Sequence, residues 1–409
     1  MTVIVDAVPS VASVFIGVHT RAGLAFEPDP LNGISHFVEH MMFKGTAKRD
    51  YQQIAEQVEN IGGEINAATS MERTYYYIRS LKEHLEFNME MLSDLLLNSL
   101  FDPREVEKER EVILQEYFSS LDDPESLVWD YFFGAAYGGQ PLGRTLIGTR
   151  ETIRAITAED MKAYVAARYR AGDMAVIVSG NVDIEAVFDM AEKYFGGFAA
   201  GAGSAVRCNY EAGARIVAKD LEQANVVIGF DGVGADSSVA EQVAQEVALL
   251  ALGGGMSSRL FQRVREEKNL AYHIGAGMNV FNRSGLASIS FATEEAKLAP
   301  LLDECGAVVQ GLCDGGITDA ELSRAKVSLR ASALMGLESL KYRAAALAKR
   351  WQVGEGDDFF ARRIAAVDAL TGDEALAAAR RVFSSSACVG AVGRIGNLTA
   401  EGVKKRFVL

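Results

Sequence analysis

The sequence contains few cysteines, and their spacing argues against several common uses of this residue. The four cysteines in 409 residues are Cys208, Cys305, Cys313 and Cys388. None belongs to a Cys-x-x-Cys pair, which argues against a zinc ribbon or a thioredoxin-type redox site. Four cysteines are also too few to hold a chain of this length together by disulfides. We therefore expect them to be reduced and packed as small apolar side chains.

Basic residues and long apolar runs are also scarce. The chain has 41 Lys and Arg against 55 Asp and Glu, a formal net charge of −14. Nucleic-acid backbones are bound by basic surfaces, so no nucleic-acid partner is expected, whereas cationic peptides or a metal ion suit an acidic protein. Uncharged runs such as 8–18 are shorter than the ~18–20 residues of a membrane helix. The N-terminus shows no signal peptide, so we expect a cytoplasmic protein without membrane insertion.

What the sequence does contain is enough apolar material for true cores, arranged as an internal repeat. Hydrophobic residues make up 49% and charged residues 23% of the chain. Three strand-like runs in the first half recur about 212 residues later. The pairs are 13–19 with 225–231, 75–80 with 286–291, and 175–181 with 388–394. We predict two homologous domains, 1–195 and 211–409, joined by a Gly/Ala-rich flexible linker, 196–210.

Helix-like segments alternate with these strands. Amphipathic patterns at 51–61, 81–97 and 158–168 predict helices, and the strand near 74–80 alternates in polarity as antiparallel strands with one covered face do. The expected fold class is therefore α+β. Each domain should be a mainly antiparallel sheet with helices on one side.

Residues 36–40 form the most informative motif, because they read His-Phe-Val-Glu-His. The flanking residues predict a helix that begins near Ser35. On that helix His36 and His40 lie four residues apart and project from one face, so that both can bind a single Zn²⁺ ion. Glu39 could reach water at the metal without being a ligand. This is the inverted zincin motif.

A third protein ligand is needed, and a carboxylate from the helix that starts near Pro103 is the best candidate. Glu109 and Glu116 are two turns apart and should flank Val112 and Ile113 on a partly apolar, inward-turned stripe. Glu107 and Glu111 point elsewhere and are expected to be solvated. Spacing alone does not choose between Glu109 and Glu116.

These motifs resemble those of the pitrilysin-type zinc peptidases, and most of all the mitochondrial processing peptidase β-subunit and its bacterial homologues. The motif 36–40, with Glu116 seventy-six residues after His40, carries the resemblance. Further matching stretches are 32–45, 62–69, 141–148, 253–260 and 265–272. The resemblance implies that His36, His40 and Glu116 bind one zinc ion per chain. It also implies that Glu39 is the general base and that Glu109 supports the site from behind.

The same resemblance implies how substrate is bound. Arg265 and Tyr272 would contact the substrate backbone and the developing oxyanion. Asp130 matches one of two acidic residues that read an arginine before the cut, but Ser126 stands at the position of the other. The substrate would lie as an added strand on the segment 62–69. Its implied substrate-binding residues are Gly63, Ile65, Asn66, Ala67, Ala68 and Thr69.

The function implied by the resemblance is that of a zinc-dependent endopeptidase. It would cleave unfolded or extended, basic or presequence-like peptides between two domains that close like a clamshell. The second half cannot build its own zinc site, because Ala248 and Leu252 stand near the positions of the two histidines. The alternatives are a zinc-binding subunit that is active only with a paralogous partner, a non-catalytic peptide-binding protein, and a zinc hydrolase with a non-peptide substrate. A homodimer or a heterodimer with a paralogue is expected.

Overall fold

The β-branched and aromatic runs of the sequence form two five-stranded sheets in the computed structural model, which describes residues 1–203, 206–356 and 358–408. The six predicted strands are all present, with ends within two residues of the prediction. Together with the helices described below, this confirms the α+β fold class.

The first sheet has the strand order β1-β5-β2-β4-β3. Its edge strand β1 pairs with β5 in parallel, and the other neighbours are antiparallel. The sheet is therefore mainly antiparallel, as predicted. Its strands are β1 (Thr2–Ala7), β2 (Ser13–Thr20), β3 (Glu64–Thr69), β4 (Thr74–Leu81) and β5 (Met174–Gly180).

The second sheet repeats this topology, with the order β6-β10-β7-β9-β8 and one parallel pair, β6 with β10. This agreement confirms that the chain contains two domains built on one plan. The strands are β6 (Ala214–Ala218), β7 (Ala224–Gly232), β8 (His273–Val280), β9 (Gly285–Thr293) and β10 (Cys388–Gly393).

Helices connect the strands in both halves. In the first half they are α1 (Ile34–Met41), α2 (Tyr51–Glu59), α3 (Leu85–Asn98), α4 (Pro103–Asp122), α5 (Pro124–Tyr137), α6 (Arg150–Ala155), α7 (Ala158–Arg168) and α8 (Ile184–Phe195). In the second half they are α9 (Val239–Gly253), α10 (Glu295–Gly315), α11 (Asp319–Gly336), α12 (Leu340–Val353), α13 (Phe359–Ala369), α14 (Gly372–Phe383) and α15 (Ala400–Lys404). Short 3₁₀ turns lie at Leu24–Phe26, Asp29–Leu31, Lys82–His84, Pro141–Gly143, Ala171–Asp173 and Lys405–Phe407, and a π-helical segment at Phe261–Glu267.

Two compact units result, and each takes a helix from the other half of the chain. The first unit comprises Met1–Phe118, Thr145–Val206 and Leu334–Glu355, and the second comprises Ser119–Arg144, Arg207–Ala333 and Gly356–Leu409. The predicted ranges 1–195 and 211–409 are continuous, whereas the compact units are not.

The predicted linker 196–210 is partly tied to the first unit. The backbone N–H of Ala171 donates to the Ala199 carbonyl at 2.9 Å, and that of Gly172 donates to the Gly201 carbonyl at 2.8 Å. Residues 204 and 205 of the predicted linker lie outside the described residues. At least the segment around 199–201 is therefore anchored rather than free.

Each sheet has helices on both faces, rather than on one side as predicted. In the first unit, Val14, Ile16 and Val18 of β2 face the main core with α1, α3, α7 and α8. The opposite face carries a smaller cluster in which Phe15 and Tyr77 pack against Leu340, Ala344, Ala348 and Trp351 of α12. A helix from the second half thus completes the first unit.

The second unit is completed in the same way by α5 from the first half. Here two strand glycines allow the helix backbone to approach closely. A Cβ atom on Gly390 would lie 2.5 Å from the Phe132 backbone nitrogen, and one on Gly229 would lie 2.1 Å from the Phe132 ring. Neither position could hold a side chain without moving α5 away from the sheet.

Candidate metal centre

The histidine helix α1 begins at a buried carboxylate that binds its free N–H groups. Oε2 of Glu27 accepts hydrogen bonds from the Gly33 N–H at 2.8 Å and from Nδ2 of Asn32 at 3.0 Å, and Oε1 accepts from the Ser35 N–H at 2.9 Å. A negative group here also stabilises the positive end of the helix dipole. Burial raises the pKa of Glu27, and these hydrogen bonds partly oppose the rise. Glu27 therefore fixes where the helix starts.

His36 and His40 project from one face of this helix, as the spacing predicted. Their ring centroids lie 4.5 Å apart. Nε2 of each ring lies 3.7 Å from Oε2 of Glu116, which comes from α4. The three residues offer ligand atoms that all lie within 4.8 Å of one another, and they form the one such cluster found among the described residues.

This donor set fits a zinc ion. Tetrahedral zinc with ligands at about 2.0–2.1 Å holds its ligand atoms about 3.3 Å apart. The two distances of 3.7 Å to Glu116 are therefore close to those of a zinc site, and all three ligand atoms lie within 4.8 Å. Burial, with the neighbouring His40, lowers the pKa of His36 to about 4, so its imidazole is neutral near pH 7, the form that binds metal. Nδ1 of His36 is buried with no hydrogen-bond partner in the described part of the chain. We conclude that His36, His40 and Glu116 can hold zinc.

Glu109 and Glu116, between which spacing did not choose, occupy different places relative to the two histidines. Glu109 is buried, and its Oε1 accepts a hydrogen bond from Nδ1 of His40 at 2.8 Å. Its other oxygen lies 2.5 Å from Nζ of Lys44. Glu116 instead keeps 44% of its side chain exposed and faces both histidines. The geometry therefore groups Glu116 with the two histidines and puts Glu109 behind His40.

The carboxylates around His40 favour a positive charge at Nε2, the ring nitrogen that does not pair with Glu109. Burial alone would lower the pKa of His40, but the hydrogen bond to Glu109 and the charge of Glu116 raise it. The pKa of Glu109 is lowered, because the hydrogen bonds from His40 and Lys44 outweigh its burial. Sequence reasoning missed Lys44, although its position four residues after His40 was a usable signal.

The inward-turned, partly apolar face of α4 agrees only in part with the prediction. Ile113 is buried, but Val112 is 41% exposed, so the expected apolar stripe does not include it. Glu107 and Glu111 are exposed, as predicted. The helix thus turns one carboxylate, Glu109, fully inward.

Glu39 lies beside the cluster without belonging to it. The Thr69 hydroxyl donates a hydrogen bond to Oε2 of Glu39. Burial raises the pKa of Glu39, and this hydrogen bond partly opposes the rise. A half-buried carboxylate with a raised pKa beside a candidate metal site is a candidate for a general base.

Strand β3, which contains the predicted substrate-binding residues, is an edge strand. It pairs with β4 on one side, and no other described strand pairs with its second side. Thr69 ends β3 and brings this edge to Glu39. The predicted residues Gly63, Ile65, Asn66, Ala67, Ala68 and Thr69 therefore lie on or next to an open strand edge.

The remaining predicted residues belong to the second unit. The Arg265 guanidinium lies 4.7 Å from the centre of the Tyr272 ring, and Tyr272 is 80% exposed. Burial raises the pKa of Asp130 to about 6, and the charge of Arg215 only partly opposes the rise. The Ser126 hydroxyl donates to Oδ2 of Asp123 at 2.5 Å, so it serves the start of α5.

The chain has two related domains, and the first contains the inverted histidine motif within a cluster that could hold a metal ion. The sequence comparisons identify its family. Residues 2–150 match the family described as "Insulinase (Peptidase family M16)", and residues 155–329 match the "Peptidase M16 inactive domain". The chain belongs to peptidase family M16. The second match includes α9, where Ala248 and Leu252 stand near the repeat positions of His36 and His40. Both are buried apolar residues, so this helix has no counterpart of the histidine pair.

Similar proteins include an uncharacterized zinc protease of Rickettsia felis, 36% identical over 352 residues, covering 86% of this chain and 85% of that protein. The uncharacterized zinc protease YmxG of Bacillus subtilis is 34% identical over 342 residues and covers 82% of each chain. A Helicobacter pylori protease structure superposes with a TM-score of 0.88 at 23% identity, covering 96% of both chains. A Pseudomonas fluorescens M16 inactive-domain structure superposes with a TM-score of 0.89 at 18% identity, covering 96% of this chain and 95% of that one.

Among the described residues, no helix is long and apolar enough to span a bilayer.

Proposed function

We propose that this chain is a zinc-dependent endopeptidase that cleaves extended peptides. The observation that carries the proposal is the convergence of His36, His40 and Glu116 within 4.8 Å, with Glu39 beside them. Two imidazole nitrogens and a carboxylate oxygen in one small cluster suit zinc, and a further carboxylate next to them suits hydrolysis.

Each residue has a definite task in the proposed reaction. When bound, zinc supplies a Lewis acid that polarises a carbonyl group and makes a coordinated water more acidic. Glu39 takes the proton from the attacking water and passes it to the leaving amine, which its raised pKa favours. Glu109 holds the His40 ring so that Nε2 is free for the metal. Tyr272 and Arg265 are proposed to contact the substrate and the developing oxyanion.

The open edge of β3 supports an extended peptide as the substrate. A peptide added as a strand would gain main-chain hydrogen bonds that do not depend on its sequence. The net charge of −14 favours basic peptides. Asp130, half-buried with a raised pKa, is proposed to bind a basic side chain of the substrate, while Ser126 brings no second charge.

The test is cleavage of unstructured basic peptides by the purified full chain, with zinc content measured alongside. We expect cleavage that a chelator abolishes and added zinc restores, at about one zinc per chain. Glu39→Gln should keep the zinc and lose turnover by about 100-fold or more. Glu111→Gln, an exposed glutamate on α4, is the matched control and should behave as the wild type.

Other outcomes distinguish the alternatives. Cleavage that is insensitive to the chelator, or a fully active Glu39→Gln variant, would refute the proposal. Bound zinc and bound peptide without cleavage would favour the second candidate, a subunit that needs a paralogous partner or only binds peptides. Light scattering on the same sample tests whether the chain forms the predicted dimer. A cytoplasmic location stays a prediction.

A further inference from the structure

The Thr69 hydroxyl group lies between the end of the edge strand and the carboxylate of Glu39. It donates a hydrogen bond to Oε2 of Glu39, and the Thr69 backbone amide also interacts with this carboxylate. Its only other polar neighbour among the described hydrogen bonds is Oγ1 of Thr74, at 3.2 Å. Thr69 and Thr74 are partners in the β3–β4 register, so sheet pairing fixes their positions.

The direction of the hydrogen bonds follows from Thr74. Thr74 is fully buried, and its hydroxyl proton is donated to the Ala22 carbonyl at 2.8 Å. Each hydroxyl has one proton to donate, so Thr74 has none left for Thr69. The proton of Thr69 is therefore free to be donated to Glu39. An ionised carboxylate is the acceptor that this arrangement suits, because it offers only lone pairs.

We propose that Thr69 is a positioning residue that binds one oxygen of Glu39 so that the other oxygen receives the proton of the attacking water. This inference rests on the proposed function. The Glu39 side chain has three rotatable bonds, and a hydrogen bond from a strand residue restricts where its carboxylate lies. Because Thr69 is the last residue of β3, the same bond relates the base to the strand on which the peptide would lie.

A different reading gives Thr69 only a role in binding substrate, as the resemblance implied. The two readings predict different kinetic changes. Removing a group that stabilises the bound substrate and the transition state equally raises KM and leaves kcat unchanged. A misplaced base lowers kcat and leaves KM unchanged, since peptide binding along β3 does not use the hydroxyl.

The experiment compares Thr69→Val, which keeps the shape but not the hydroxyl, with Thr69→Ser, which keeps the hydroxyl. We expect Thr69→Val to lower kcat about 10- to 100-fold, with KM within about twofold of wild type. Thr69→Ser should stay within about threefold of the wild-type kcat. Zinc content should be unchanged in both variants, because neither change removes a residue of the proposed zinc site, and circular dichroism checks that both variants are folded.

A double variant tests whether Thr69 acts through Glu39. Glu39→Gln combined with Thr69→Val should be no slower than Glu39→Gln alone, because the base that Thr69 positions is already gone. Additive losses, an unchanged kcat in Thr69→Val, or a change confined to KM would each overturn the inference.

The design separates this inference from the function beneath it. If the wild type cleaves with chelator sensitivity and Glu39→Gln is inactive while Thr69→Val is fully active, only the inference fails. If the wild type does not cleave, or Glu39→Gln cleaves normally, the proposed function fails and the inference fails with it.

Discussion

Nδ1 of His40 lies 2.8 Å from Oε1 of Glu109. Because an ionised carboxylate only accepts hydrogen bonds, Nδ1 must carry a proton, and in the neutral ring Nε2 therefore has its lone pair directed toward Glu116. The ring can then bind a metal without first changing its tautomer. Metal-binding histidines are commonly oriented in this way by a carboxylate.

We predict that Glu109→Gln weakens zinc binding about 10- to 100-fold, because an amide accepts more weakly and no longer fixes the His40 tautomer. Competition with a chromogenic chelator measures the affinity. Glu111→Gln, on the exposed side of the same helix, should leave it unchanged. Equal affinities for the two variants would mean that Glu109 does not support the site.

Lys44 is the cation that offsets the buried charge of Glu109, at 2.5 Å. We predict that Lys44→Met lowers the free energy of unfolding of the zinc-free protein by about 1–3 kcal/mol, because a buried carboxylate loses a charged partner. The pKa of Glu109 is lowered in the folded state. The ionised Glu109 therefore stabilises the folded state fully above the unfolded pKa of glutamate, about 4.3. This stabilisation is lost as the pH falls through the lowered pKa of the folded state.

Urea unfolding at pH 7 and pH 4 measures both effects. The difference between wild type and Lys44→Met should be larger at pH 7 than at pH 4. Lys48→Met is the control, because Lys48 pairs with Glu90 at a site where its own side chain is 58% exposed. A loss in Lys44→Met that does not depend on pH would point to packing rather than charge.

The three hydrogen bonds to Glu27 give a third prediction. Glu27→Gln replaces one acceptor oxygen by an NH₂ group, which must face at least one of the donors from Asn32, Gly33 and Ser35. We expect a loss of about 1–3 kcal/mol in the free energy of unfolding, and weaker zinc binding because α1 carries His36. Glu59→Gln, on an exposed residue at the end of α2, is the comparison. An unchanged variant would show that α1 starts without Glu27.

The sequence was sufficient for those features that depend on local patterns. The strands follow from runs of β-branched and aromatic residues, and the positions of His36 and His40 follow from the four-residue spacing on a helix. The support of His40 by Glu109 joins residues 69 positions apart. Spacing on α4 offered two glutamates, and only the packing of α4 against α1 distinguishes them.

The helix exchange between the units could not be predicted for a related reason. Ala344 and Ala348 of α12 are ordinary apolar positions of an amphipathic helix, and nothing local tells which sheet they cover. In the structure they pack against Phe15, more than 300 residues earlier. The repeat predicted two continuous domains because it reflects similarity between the two halves of the sequence. The compact units depend instead on which helices pack against which sheet.

Asp130 gives the last prediction, because burial raises its pKa to about 6. Its unfolded pKa is about 3.9, so between pH 4 and pH 6 the folded state binds more protons than the unfolded state. Stability should therefore fall as the pH rises through this range, and the loss should persist above pH 6. Asp130→Asn carries no charge, so it should be more stable than wild type at pH 7.5 by about 1–2 kcal/mol and nearly equal at pH 4.

Urea unfolding at the two pH values, together with cleavage of peptides that carry or lack arginine, tests Asp130 for both stability and specificity. Asp122→Asn, with a side chain that is 88% exposed, is the control and should change neither. If Asp130→Asn gains stability and loses its preference for arginine, the buried charge serves substrate binding at the expense of folding, as is common at functional sites. If Asp130→Asn gains stability but the preference for arginine-containing peptides is unchanged, Asp130 does not bind the substrate.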